Sequence, residues 1–68
     1  MSNVYEMLRC AERELKMRKR VYPRWVAQHR MPVEEADYEL RLMEEIAEHF
    51  RKLVEDNQPQ LFDERTHQ

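Results

Sequence analysis

Two runs of charge and two isolated side chains carry the residue types that bind or react in this 68-residue chain. Lys16, Arg18, Lys19, Arg20 and Arg24, with Tyr22 and Trp25 interleaved, have the composition of a phosphate-binding segment with aromatic neighbours. Glu44, Glu45, Glu48 and His49 form an acidic run, and the four-residue step from Glu45 to His49 sets two metal-ligand types on one helical face. Cys10 and His29 are two further groups with nucleophilic or acid–base chemistry.

Spacing limits each of these. Glu12 to Lys16 and Glu14 to Arg18 are i,i+4 pairs, so the basic run reads first as a solvated helix face neutralised along its own helix. A net charge of −2 and a pI of 5.9 favour that reading over a DNA-reading domain. No second set of carboxylates or histidines faces the acidic run from the N-terminal half, so a solvated acidic face is expected and no metal or other cofactor is assigned. No nucleophile is spaced to meet His29, and Cys10 reads as a small buried hydrophobe. The expectation is a protein that is not an enzyme.

Composition narrows the classes further. The chain has no glycine, which excludes phosphate-cradling loops, dinucleotide turns and nucleophile elbows. One cysteine forms no internal disulfide, and no apolar run approaches the ~20 residues of a membrane span, so a cytoplasmic location is expected. Charge is segregated by sign. Residues 1–32 hold eight basic and three acidic side chains, and residues 33–56 three basic and nine acidic, giving +5 and −6.

Two helices must position these groups. Asn3 with Glu6 three residues on is an N-cap pattern, and Val4, Leu8, Ala11, Leu15, Tyr22 and Trp25 then recur at steps of four and three, with Arg18 in the missing place. This predicts a first helix over about 3–29, kinked but unbroken at Pro23. Pro32 suits the first turn of a second helix over about 32–56, in which Ala36, Leu40, Met43, Ala47, Phe50 and Val54 repeat the rhythm. Residues 57–68 lack periodicity and are expected to form a mobile tail.

Folded about Arg30 and Met31, the two seams pair Trp25 with Ala36, Tyr22 with Leu40, Arg18 with Met43, Leu15 with Ala47, Ala11 with Phe50 and Leu8 with Val54. Large residues then face alanines in three of the six pairs, and the basic half lies along the acidic half. The fold class expected is all-α, an antiparallel helical hairpin. A second apolar row, Met7, Cys10, Met17 and Val21 with Leu42, Ile46 and Leu53, is left without internal cover and predicts a homodimer packed as a four-helix bundle. Arg18, Tyr22 and Trp25 share a stripe of the types that dominate binding hot spots, Tyr38 stands off the seam, and all four are candidate partner contacts. A plainer role for Arg18 is a snorkelling side chain that reaches Glu14 or Glu44.

In the tail, Gln58, Pro59, Gln60, Leu61 and Phe62 resemble the short peptides that dock on the bacterial DNA polymerase sliding clamp, in which a leading Gln is followed after two residues by Leu-Phe. Gln58, Leu61 and Phe62 carry the match, while Pro59 and Gln60 depart from it. Leu61 and Phe62 also suit folding back onto the bundle end near Met7 and Val54. A longer stretch, Glu14, Leu15, Met17, Arg18, Arg20, Val21, Tyr22, Pro23, Trp25, Val26, Arg30 and Met31, followed by Ala36, Glu39, Met43, Ile46 and Leu53, resembles small uncharacterised proteins of temperate phages and prophages. That resemblance implies a helical hairpin of phage origin in the host cytoplasm. By analogy of size and genomic class, it implies a protein that binds and modulates or inhibits a host protein, such as a transcriptional regulator or replication factor. A DNA-associated accessory protein using Lys16, Lys19, Arg20 and Arg24, and a purely structural helical dimer, are the alternatives.

Overall fold

The computed structural model describes residues 3–57. They form two helices packed against each other, α1 over Val4–Ala27 and α2 over Val33–Asp56, with no strand among the described residues. Asn3 caps α1: it stands in extended geometry, and its Oδ1 accepts the Glu6 backbone N–H at 2.9 Å. The helix runs unbroken through Pro23, which is exposed. Proline costs the Lys19 carbonyl its usual partner, and the packing of Tyr22 on one side of it keeps the chain helical.

Both helices begin and end within two residues of the expected limits, and the differences lie at the bend. His29 takes φ 60°, the left-handed region, so α1 stops at Ala27. The Arg30 N–H then reaches back to the Trp25 carbonyl at 2.8 Å, and the His29 N–H to the Val26 carbonyl at 3.0 Å. These two bonds make a Schellman motif, with histidine at the position that glycine ordinarily fills. The side-chain contact that usually accompanies the motif is apolar; here the Arg30 guanidinium lies 5.4 Å from the centre of the Trp25 ring. Pro32 is the N-cap of α2, not its first helical residue. At φ −65°, ψ 145° it is extended, and its carbonyl accepts the Ala36 N–H at 3.1 Å. No side chain caps α2, and Glu34 and Glu35 complement the positive end of its first turn.

The seam follows the expected register. Ala11, Met43 and Ala47 form a buried cluster with Leu15 and Phe50 packed on it, and Tyr22 and Ala36 are buried nearer the bend. Tyr22, Val26, Ala36 and Leu40 line one groove, as the pairing of Tyr22 with Leu40 requires. The core is thin. Five residues are buried among those described, three of them alanines, and none of the large side chains is fully enclosed.

Strain at His29 is open to measurement. A left-handed non-glycine residue costs ~1–2 kcal/mol, and glycine returns part of that as unfolded-chain entropy. His29→Gly is expected to stabilise the hairpin by ~0.5–1 kcal/mol and raise its thermal midpoint by several degrees at fixed concentration. His29→Val, β-branched and unsuited to positive φ, is expected to lower it.

Candidate functional site

Two sides of the hairpin differ in chemistry. On one, α1 and α2 are laced by ion pairs: Lys19 Nζ stands 3.6 Å from Glu44 Oε2, and Arg51 Nη2 3.2 Å from Glu12 Oε2, with Arg51 also bonded to Glu48. The hydrogen bonds to Glu12 and then Glu48 hold the Arg51 guanidinium above its ordinary pKa. These exposed pairs set the pairing of the helices more than they stabilise it.

The other side carries an apolar row, with Glu6, Glu14 and Glu39 beside it. The 3.6-residue period sets Met7, Cys10, Met17 and Val21 along one flank of α1, and Leu42, Ile46 and Leu53 along the facing flank of α2. Met7 is 40% exposed, Ile46 43% and Leu53 37%, while Met17, Val21 and Leu42 are half-buried. Met7, Cys10 and Ile46 line an open groove of ≈ 400 Å³ floored by Ala11, Met43 and Phe50. Cys10 is exposed, which corrects the expectation of a buried small hydrophobe. Its Cβ faces the flank and not the seam, which Ala11 occupies next to it.

Arg18 crosses from the seam towards this side. Its Nε donates to Glu14 Oε2 at 2.9 Å, and its Nη1 donates to the Glu39 carbonyl at 3.1 Å and to Glu39 Oε1 at 3.4 Å. Glu14 was an expected partner; Glu39 takes the place expected of Glu44, which pairs with Lys19 instead. The guanidinium also lies 5.8 Å from the Tyr22 ring centre, and Tyr22 stacks on Trp25 at 5.6 Å. Arg18, Tyr22 and Trp25 of α1 and Arg30 of the bend thus form one continuous ladder of cation–π and stacking contacts. The expected stripe exists, but much of it is used within the hairpin. Tyr22, 9% exposed, is removed from contact with a partner, whereas Trp25 is half-buried and Tyr38, at 56%, is open.

The basic run divides in space. Arg18 and Lys19 turn towards α2, while Lys16, Arg20 and Arg24 face outward and are exposed. Arg9 and Arg13, outside the run in sequence, lie on the same outward face at helical spacing. Tyr22 and Trp25, interleaved with the run in sequence, point to the seam side. The acidic run likewise disperses: Glu44 and Glu48 are engaged by Lys19 and Arg51, and His49 packs edge-on against Phe50. Among the described residues, no three of His, Cys, Asp and Glu gather as a ligand set. No hydrogen bond joins Cys10 to a histidine among them either. Gln58, Leu61 and Phe62, and the tail from residue 58 onward, lie outside the described residues. No helix among the described residues is long and apolar enough to cross a membrane.

The fork of Arg18 has a measurable share in this arrangement. Arg18→Lys keeps the charge but cannot hold Glu14 and the Glu39 carbonyl at once, and is expected to cost ~1 kcal/mol in urea unfolding at fixed concentration. Unchanged stability would show that the cluster contributes nothing net. No protein-family model, curated protein or solved structure matches the chain.

Proposed function

We propose that the chain is a non-enzymatic interaction protein that self-associates and acts by binding another protein. The observation that carries this is the apolar row: one side of the hairpin exposes Met7, Cys10 and Ile46 in a single groove, with Leu53 also exposed at helical spacing from Ile46, while the opposite side is laced by ion pairs between the helices. A thin core beside an uncovered flank is the condition in which a second copy supplies the missing burial. Two hairpins packed flank to flank give a four-helix bundle with two-fold symmetry.

The bound protein is, on this reading, a host protein met during phage infection, in keeping with the sequence resemblance to small phage proteins. Trp25 and Tyr38 are the aromatic contacts best placed for it, while the Arg18 guanidinium is engaged within the hairpin. The tail residues Gln58, Leu61 and Phe62 would add a clamp-type peptide to the same molecule.

Sedimentation velocity at micromolar concentration is expected to show a dimer. Ile46→Glu puts a charge in the middle of the flank and is expected to weaken dimerisation at least ~100-fold, because an unpaired charge would be buried. Val33→Glu, an exposed apolar residue off this flank, is expected to leave the dimer intact. A stable monomer in the unaltered protein would remove the basis of the bundle. Loss of a captured host protein in Tyr38→Ala or Trp25→Ala, with the dimer preserved, is the outcome expected of the binding role.

A further inference from the structure

The outward face of α1 carries a second surface. Arg9, Arg13, Lys16, Arg20 and Arg24 recur at steps of four, three, four and four, and all five are exposed. That spacing keeps them on one side of the helix over about 22 Å, at ~1.5 Å per residue. None of the five has an ion pair or hydrogen bond among the described residues. The acids that might have neutralised them are turned elsewhere: Glu12 reaches Arg51 across the seam, and Glu14 holds Arg18. The i,i+4 pairing of Glu12 with Lys16 expected from sequence does not form, and Glu6, one turn before Arg9, is the carboxylate left beside the stripe, at its N-terminal end.

Charge balance of the whole chain hides this row. The carboxylates that bring the net charge to −2 are concentrated on α2, and helical spacing sets the stripe on the side of α1 opposite the seam. We infer that this face binds the phosphate backbone of double-stranded nucleic acid. Four arginines and one lysine in line suit a repeating array of phosphates, whereas a single anionic ligand would need convergent donors. A duplex is favoured over a single strand because the stripe has no row of aromatic platforms for successive bases: Tyr22 is buried, Trp25 stacks on it, and Tyr5, one turn before Arg9, is a single exposed ring at the end of the stripe. The contacts are to backbone charge, so binding is independent of base sequence. This surface is distinct from the apolar flank, about a quarter turn away around α1, and both stripes stay open in a dimer formed through that flank.

Fluorescence anisotropy with a short labelled duplex of arbitrary sequence tests the assignment. If four or five phosphates are neutralised, the slope of log K against log salt is about −4, a loss of roughly 10²–10³-fold between about 50 and 200 mM. Arg13→Gln, Lys16→Gln and Arg20→Gln together are expected to make the slope shallower by ~2.7, and Arg20→Gln alone by ~0.9. All are exposed substitutions to a good helix former, and helicity by circular dichroism and dimerisation should be unchanged. Lys19→Gln, which removes a cation held by Glu44, is expected to alter the slope little. Absence of salt-dependent duplex binding, or a triple variant that binds as the parent does, would overturn the inference. Tighter binding of the single strand, or equal binding of an acidic polypeptide at the same salt, would overturn the duplex assignment.

Discussion

A pair of helices has one shared seam, and everything else in this protein is arranged around how little that seam can bury. Ala11, Ala36 and Ala47 let the two backbones come close, which is what allows Met43, Phe50, Leu15 and Tyr22 to interlock, but alanines contribute little area of their own. A larger domain would cover its remaining apolar rows with a third element. Here Met7, Ile46 and Leu53 stay at the surface, and the ends and edges of the hairpin hold a larger share of its order than they would in a bigger fold. The Asn3 cap, the bend at His29 and the Arg18 fork are three places where polar contacts fix what burial alone would leave loose.

Arg18 is the clearest case of one side chain doing two jobs. In the seam it stands where an apolar residue belongs, and it is accommodated because its stem lies along the seam while its fork finds Glu14 and the Glu39 carbonyl. By drawing Glu14 inward, it also removes a carboxylate from the vicinity of the outward cations. Arg51 does the same to Glu12 from the opposite helix. The inner ion pairs therefore sort charge across the width of the molecule as well as aligning the helices.

Much of the architecture was legible in the residue pattern. Large residues opposite alanines in a four-and-three rhythm leave almost one way to fold two helices, and the buried cluster of Ala11, Met43 and Ala47 follows it. The bend was legible in place but not in form. His29 has no sequence signature for positive φ, so α1 was expected to reach it and instead ends at Ala27. Partner choice was less accessible, because a long side chain with several carboxylates in reach selects among them by side-chain geometry, as Arg18 does in taking Glu39 over Glu44. The outward stripe was missed for a different reason. Counting consecutive basic residues groups Lys19 with Arg20, which point apart, and omits Arg9 and Arg13, which belong with Lys16; counting at helical period would have found all five. Tyr22 has the residue type of an interface contact, but its seam position places it in the core.

The separation of +5 and −6 between the two helical segments, noted first as a matter of composition, acquires a direction once the helices lie side by side at about 10 Å. The hairpin is an electric dipole across its short axis, not along its length as in a single helix. A field from any large charged body therefore exerts a torque on it before contact. In front of a polyanion the molecule would roll about its long axis until α1 leads, so charge separation alone sets which edge faces such a body on approach.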